Sequence, residues 1–353
     1  MKPSSPPFPR STSRVMRRAI PIAAAALVLT LSTIGRAGPE TAMREFASGQ
    51  VKKGVRTIGM GGDGATTGNY ALVYKDAGAA LFDYGAVRFS DTGTRMTFTA
   101  VGLTTPTFWN DAAFYIIAIA QHATDLHVWD LTPPSAKKPP SLGDGSNQAV
   151  FVKFAKPLTD TLSIGLLGSY ELSQMTLLPN SGAAPIRYET FWRPSGGAGL
   201  HFHPDDRFQA GVRVILNHDM ESRADSTGVH RGLARSYEYR LGVAYSPWKG
   251  GLFDVGATAL DRSNGLEGTS TFEIHPNLGA EQAIVPKTFW LRVGLDETTP
   301  TAGASVRVGL FKFDLAVFKN LAAARTNDTF GHDNVSAIGT VNFDYEKLVA
   351  HGG

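Results

Sequence analysis

Gly59, Gly61 and Gly64 have the G-x-G-x-x-G spacing of a dinucleotide-binding turn. Such a turn holds a pyrophosphate only where a buried strand leads into it and a helix N-terminus follows it. The polar segment SGQVKKGVRT comes before these glycines and ATTGNY comes after them, so neither flanking element is predicted. The spacing therefore indicates a compact glycine turn and not a nucleotide site.

The pair His201 and His203 is the other pattern that could do chemistry. Two histidines two residues apart lie on one face of a strand and could bind a metal, but no third ligand stands at a recognisable spacing. We therefore expect a solvated strand end, with no metal and no cofactor. The chain has no cysteine, which excludes disulfides, thiolate metal sites and a cysteine nucleophile. No histidine belongs to a recognisable serine hydrolase motif, although triads do assemble from distant residues.

The first 37 residues have the composition of a secretory signal peptide. Basic residues precede an apolar run from Ala19 to about Leu31, and small residues end the segment at Ala37, where we predict cleavage. A membrane anchor is the alternative, but the run is short and contains Pro21. Residues 1–37 hold six of the 34 Lys and Arg and none of the 31 Asp and Glu, which leaves the remainder with a net charge of −3. Nucleic acid is therefore not an expected partner.

From residue 83 onward, apolar and polar residues alternate in short segments bounded by turn residues. In TFWLRVGLD, for example, Phe289, Leu291 and Val293 share one face of a strand, while Arg292 lies on the other. A soluble sandwich or propeller could show the same alternation. The sequence predicts about 14 strands, at residues 83–91, 95–105, 112–121, 148–157, 160–175, 186–203, 208–217, 233–246, 251–262, 268–283, 288–296, 303–310, 313–320 and 335–345.

Loop lengths favour a membrane barrel over those soluble folds. The long connections at 122–147, 176–185, 218–232 and 321–334 all fall on one side of the predicted strands, and the short ones fall on the other. Outer-membrane barrels have this asymmetry, with short periplasmic turns and long external loops. Aromatic residues also cluster towards strand ends, where membrane interfaces favour them. They are Phe108, Trp109, Phe191, Trp192, Trp248, Phe343 and Tyr345.

The polar faces of these strands predict an enclosed, charged lumen. Functionally, its charges could form a selectivity ring or bind the head group of a ligand. We favour a ladder of salt bridges that holds an N-terminal plug to the wall, because charges in a confined lumen are normally paired. The candidate lumen residues are Arg213, Arg240, Asp254, Arg292, Asp296, Arg307 and Asp314.

The N-terminal stretch GVRTIGMGG, followed by YKDAGAALFDYGA, resembles the corresponding segment of FadL-like outer-membrane proteins. This superfamily includes long-chain fatty acid transporters and PorV-type proteins. The positions that match are Gly54, Arg56, Gly59, Met60, Gly61, Gly62, Asp76, Ala77, Ala80 and Leu81, while Asp83, Tyr84 and Gly85 replace the family's Asn-Pro-Ala. The C-terminal segment LRVGLDETTPTAGASVRVGLFKFDLAVF also resembles the closing hairpins of the family.

The resemblance implies a small N-terminal plug inside an all-β, transmembrane, antiparallel barrel. We therefore divide the chain into a signal peptide (1–37), a plug (38–82) and a barrel (83–353). The candidate plug residues are Gly59, Gly61, Gly62, Asp63, Gly64 and Asp76, and the two aspartates are natural partners for lumen arginines. Glycines suit a plug because they let the backbone approach the wall closely.

The predicted function is passive uptake of hydrophobic small molecules, such as long-chain fatty acids, through the outer membrane of a Gram-negative bacterium. The chain is then a non-enzymatic monomer whose partners are its ligand, outer-membrane lipid and lipopolysaccharide. The loop HVWDLTPPSAKKPPSLGDGSN could contact an external partner. The alternatives are a PorV-like protein that anchors or shuttles secreted proteins and, third, an outer-membrane lipase.

Overall fold

The computed structural model describes Arg56, Met60, Asn69 and residues 71–73, 78–89, 93–106, 111–128, 141–178, 184–263, 266, 270–296, 299–319 and 334–344. The chain divides into two units, Met1–Thr33 and Ile34–Gly353, and every described residue belongs to the second. The signal peptide and all six candidate plug residues (Gly59, Gly61, Gly62, Asp63, Gly64 and Asp76) lie outside the described residues, so those assignments stay predictions.

Fourteen antiparallel strands form the described part of the chain, as the alternation predicts. Each strand pairs with its neighbours in sequence, and β1 pairs with β14, so that the sheet closes into a barrel. None of the described helices is long and apolar enough to cross a membrane. The strands are β1 Ala79–Phe89, β2 Arg95–Pro106, β3 Ala113–Val128, β4 Ser141–Pro157, β5 Leu162–Leu178, β6 Ile186–Phe202, β7 Phe208–Asp225, β8 Gly228–Tyr245, β9 Gly251–Ser263, β10 Ser270–Val285, β11 Phe289–Asp296, β12 Thr299–Val308, β13 Phe311–Lys319 and β14 Asn334–Asp344.

The barrel has an apolar outer surface and a mixed inner surface. On β2, Phe98 and Ala100 are buried, whereas the alternate residues Val101 and Leu103 are exposed by 58% and 48%. Most buried charged and polar side chains occupy the inward positions of other strands. A soluble sandwich would pack such apolar faces against each other, so exposure of this face excludes that alternative and fits a surface in contact with lipid.

The connections alternate between two ends of the barrel, which we call the loop side and the turn side. The loop side carries the connections after odd-numbered strands, and its two longest run over residues 129–140 and 320–333. The predicted long loop at 218–232 is wrong, because β7 and β8 continue to a turn at residues 226–227. Here the two strands are polar on both faces, so apolar alternation no longer marks them as strands. The predicted loop 122–147 shrinks to 129–140, because the register shift between Ala123 and Leu126 interrupts the alternation of β3.

Aromatic side chains surround the turn side of the barrel. Phe114 packs against Phe154 at 5.1 Å between ring centroids, and Phe311 packs against Phe343 at 5.2 Å. The exposed ring of Trp248 lies edge-on to Phe253. Trp248 and Phe343 therefore occupy the strand-end positions expected at a membrane interface. Phe108, Trp109 and Tyr345, together with the side chains of Phe191 and Trp192, lie outside the described part of the chain.

Candidate functional site

The N-terminal segment contacts the inner wall of the barrel at β10. The guanidinium of Arg56 donates two hydrogen bonds to Glu281, at 2.8 and 3.0 Å. Two residues before Glu281, the wall bears Gly279, and the backbone of Met60 lies directly over it. A Cβ added to Gly279 would stand 2.0 Å from the Met60 carbonyl oxygen. Glycine is therefore required at this position for the two backbones to approach each other.

A second contact joins the segment to β6 and β7. The side-chain amide of Asn69 donates to the carbonyl oxygen of Leu200 at 2.7 Å and to that of Val212 at 3.3 Å. These two residues face each other in the strand register. Beside them, Gly199 leaves room for Asn69, whose Oδ1 would be 2.3 Å from an added Cβ. The described residues of this segment thus touch two separate regions of the inner wall.

Charged side chains join β10 to β13 on the turn-side half of the lumen. Arg292 pairs with both Glu281 and Asp314, the latter at 3.3 Å. Asp314 also accepts a hydrogen bond from Ser305 and pairs with Lys312 at 3.1 Å. Because Glu281 is shared by Arg56 and Arg292, the N-terminal segment is part of this network. Removing one member of a buried ion network leaves an uncompensated charge, which is strongly destabilising.

A second group of charges lies on β7, β8 and β9. Arg213 and Arg240 are buried, and both pair with Glu238. Asp254 and Asp296 are buried at inward positions of β9 and β11. The ion pairs of Glu238 join wall residues to each other, whereas the ladder favoured from the sequence joins plug to wall and stays a prediction for these residues.

Six of the seven predicted lumen residues are thus buried on the inner wall, and the exception is Arg307. It is exposed at the end of β12, beside the turn to β13. The ion pair between Arg56 and Glu281 was not predicted from the sequence. The prediction paired acidic residues of the plug with basic residues of the wall, and this pair has the opposite arrangement. The sequence offered one signal for this site: Glu281 lies two residues beyond Gly279, on the polar face of a predicted strand.

The inner wall of β1–β6 is largely apolar, in contrast to the charged wall. We call this surface the apolar stripe. Its loop-side part consists of Met96, Phe98, Ala123, Leu126, Met175, Leu177, Tyr188, Ala316, Phe318 and Ile338, and so extends onto β13 and β14. Its inner part consists of Ala100, Ile117, Ile119 and Ala149, with Leu81, Tyr115 and Phe151 packed against them. On β2 the two parts follow each other at alternate residues, and on β3 the buried Gln121 separates them, so the stripe runs from the loop side towards the turn side along β2.

A cation stands at the turn-side end of this stripe. Lys153 follows Phe151 on the inward face of β4, and its Nζ lies 4.9 Å from the centroid of the Tyr115 ring. Such cation–π contacts hold an ammonium group at the edge of an apolar surface. The described inner wall of β1–β5 therefore combines apolar residues with Lys153 and with the buried carboxylates Asp83 and Glu171.

The prediction of a solvated strand end at His201 and His203 is wrong for His201. This side chain is fully buried, and its Nε2 lies 3.2 Å from Oε1 of Gln209. The strand alternation points the His201 side chain into the lumen, where it is shielded from solvent. No group of three His, Cys, Asp or Glu that could hold a metal occurs among the described residues.

One hydroxyl–histidine contact lies at the loop-side rim. Thr227 Oγ1 is 3.0 Å from His230 Nε2, but it also makes a shorter hydrogen bond to Asp225. All three residues belong to one exposed hairpin tip, in which Asp225 also accepts from the Thr227 amide. The arrangement is that of a turn stabilised by an aspartate side chain.

Comparison with known proteins identifies this architecture. No protein-family model matches the chain, and no curated protein sequence matches it. Among solved structures, the toluene transporter TodX of Pseudomonas putida is 11% identical with a TM-score of 0.53, over 82% of this chain and 98% of that one. A FadL homologue of Pseudomonas aeruginosa is 12% identical with a TM-score of 0.52, over 88% and 99%. The chain has the FadL fold. The resemblance seen in the sequence is thereby confirmed at the level of fold.

A third structure supports the same assignment. The CymD monoaromatic hydrocarbon channel is 10% identical with a TM-score of 0.52, over 83% of this chain and 97% of that one. Within this FadL fold, the described N-terminal residues touch the inner wall at β6, β7 and β10, and the apolar stripe covers parts of β1–β6, β13 and β14.

Proposed function

We propose that this protein is an outer-membrane channel for passive uptake of hydrophobic small molecules. The apolar stripe is the observation that carries the proposal. The interior of a membrane barrel is ordinarily polar, and the apolar residues face lipid. Here, the inner wall of β2 and β3 presents Phe98, Ile117 and Ile119 inward. Such a surface lowers the free energy of a hydrophobic ligand relative to water by roughly 25 cal/mol per Å² of apolar area covered.

The solved structures with this fold are compatible with such a role. TodX is described as a toluene transporter, and CymD as a monoaromatic hydrocarbon channel. In our proposal the ligand enters from the loop side, moves along the apolar stripe and requires no energy source. Lys153 at the end of the stripe supports fatty acids as one ligand class, because an ammonium group can pair with a carboxylate.

Two exits from the lumen are compatible with the structure. The N-terminal segment could shift from the wall, which would break the contact between Arg56 and Glu281. Alternatively, the ligand could pass through the wall at β6, whose register shifts against both β5 and β7. Pro194 lies in this strand and has no amide hydrogen for the ladder. We propose the second exit for neutral hydrocarbons, because the register shift against β7 begins two residues beyond Tyr188, at the edge of the apolar stripe.

The two alternative functions have less support. A PorV-like role rests on a platform of loops, and no described residue provides an observation for it. A lipase would need an activated hydroxyl at the outer rim, where Thr227 instead donates to Asp225. We therefore expect no enzymatic activity from this protein.

Uptake by whole cells tests the proposal. A Gram-negative host that lacks hydrocarbon channels of its own would express the wild type, Ile119→Asn or Leu260→Asn, and uptake of labelled toluene would be measured. Ile119 lies on the stripe, whereas Leu260 is an inward-facing apolar residue of β9 outside it. We expect Ile119→Asn to lower uptake about tenfold, which corresponds to a loss of ~1.4 kcal/mol of ligand contact. Leu260→Asn should change it little.

The expression level and folding of each variant would be matched by the shift in gel mobility on heating. Equal uptake by cells with and without the wild-type protein would refute transport of toluene. Equal reduction by the two substitutions would refute the assignment of the stripe as the path.

A further inference from the structure

Two arginines face each other on the outer surface of the barrel at the loop side. Arg88 near the end of β1 and Arg95 at the start of β2 are direct partners in the strand register. Both side chains are exposed, and both lie on the outward face, in line with Tyr84 on β1 and Val101 on β2. Directly opposed residues of an antiparallel pair have Cβ atoms about 4.5–5.5 Å apart. The two guanidinium groups can therefore reach one common ligand.

This juxtaposition is unfavourable for the barrel by itself. Like charges directly opposite each other destabilise a sheet. Among the described residues, no carboxylate forms an ion pair with Arg88 or Arg95. On the far side of β2, the register partner of Arg95 is the uncharged Thr124. The described residues thus place two positive charges side by side, and an anion bound between them would offset their repulsion.

The pair also stands at the height where lipid head groups are expected. Below it, the outward face of β1 and β2 is apolar, with Phe82, Tyr84, Val101 and Leu103 exposed by 48–58%. From Leu103 to Arg95 the strand rises by about 26 Å, or roughly 20 Å along the membrane normal at a tilt of about 40°. An apolar band of outer-membrane barrels is about 25 Å tall. The arginines thus lie near the loop-side border of this band.

We propose that Arg88 and Arg95 bind a phosphate group of lipopolysaccharide in the outer leaflet. Paired guanidinium groups match the geometry of phosphate oxygens, which they bind through parallel charge-assisted hydrogen bonds. The acyl chains of the same molecule then lie against Phe82 and Tyr84. Binding of the glycolipid neutralises the repulsion between the arginines and fixes the β1–β2 edge of the barrel at the membrane surface. The proposal rests on the outer-membrane location in the proposed function, but not on transport.

The test compares two double variants, each of which removes two positive charges. Arg88→Gln/Arg95→Gln removes the site, and Arg207→Gln/Lys249→Gln removes two exposed cations from turns on the turn side. Each purified barrel, in a zwitterionic detergent, is titrated with bis-phosphorylated lipid A, with dephosphorylated lipid A and with inorganic phosphate. We expect the first variant to bind bis-phosphorylated lipid A at least about tenfold more weakly than the wild type, since it loses the charge-assisted hydrogen bonds of both guanidinium groups.

The control variant should bind like the wild type, and dephosphorylated lipid A should bind every variant equally weakly. Equal binding of bis-phosphorylated lipid A by the wild type and Arg88→Gln/Arg95→Gln would overturn the proposal. Competition by inorganic phosphate at the concentration of the lipid would assign the site to free phosphate and overturn its lipid specificity.

A second measurement, the melting temperature, distinguishes loss of lipid A binding from a folding defect. Without lipid A, the melting temperature of Arg88→Gln/Arg95→Gln should equal or exceed that of the wild type, because the repulsion is gone. Addition of lipid A should raise the melting temperature of the wild type and of the control variant, but not that of Arg88→Gln/Arg95→Gln. Lipid A binding by a barrel that fails to take up toluene would leave this inference intact and refute only the transport function.

Discussion

Gly279→Ala should displace the N-terminal segment from the inner wall. The added methyl group would stand 2.0 Å from the Met60 carbonyl oxygen and 2.8 Å from its carbonyl carbon. Both contacts are with backbone, so no side-chain rotation can relieve them, and Met60 must move by about 1.5 Å to reach ordinary contact distance. Overpacking of this kind costs about 1–3 kcal/mol. The ratio of seated to displaced segment should therefore fall roughly 5- to 150-fold.

A single thiol can report this displacement, because the chain has no cysteine of its own. Met60 is 3% exposed, so the Met60→Cys thiol reacts with a maleimide only when the segment leaves the wall. The labelling rate would be measured for Met60→Cys alone, with Gly279→Ala and with Gly168→Ala. A Cβ at Gly168 would have no atom within 4 Å, which makes it the matched control.

We expect Gly279→Ala to raise the labelling rate by the factor above and Gly168→Ala to leave it unchanged. Alanine is the better residue in a strand by about 0.5–1 kcal/mol, so neither substitution should unfold the barrel. An unchanged rate in Gly279→Ala, with the barrel folded, would show that the close approach does not hold the segment.

Three further predictions concern charged groups. Glu281→Gln should raise the same labelling rate about fivefold, since the half-exposed Arg56 contributes only ~1 kcal/mol to its ion pair. Lys153→Gln should lower the uptake of labelled oleate about tenfold and leave toluene uptake unchanged, because only the fatty acid offers a carboxylate. Equal reduction of oleate and toluene uptake would show that Lys153 does not bind the carboxylate head group. Hydrogen bonds from the Thr227 side chain and amide lower the pKa of Asp225, so the hairpin tip should be stabilised above the ordinary aspartate pKa and should loosen as the pH falls through the lowered value. Amide exchange at Thr227, measured by NMR in the wild type and in Asp225→Asn, should show this pH dependence only in the wild type.

Most strands of the barrel could be predicted from the sequence. Side chains alternate between the two faces of a strand, and only one face of a barrel strand contacts lipid. The apolar–polar pattern of segments such as TFWLRVGLD therefore defines both a strand and its outward face. The predicted strands therefore overlap all fourteen that the structure describes. The inward positions of Arg213 and Arg292 follow from the same alternation. The error at residues 218–232 arose where β7 and β8 are polar on both faces, because alternation carries no signal there.

Only the tertiary structure decided which inward residues meet. Arg56 and Glu281 are 225 positions apart, and their pairing depends on how the N-terminal segment lies against β10. Closure of the barrel brings Phe318 and Ile338 into one cluster with Met96 and Phe98. Alternation fixes the face of a strand but not its neighbour across the lumen, since that depends on barrel closure and strand register. The sequence therefore determined the wall of this protein, and the three-dimensional arrangement divided its interior into a charged side and an apolar path.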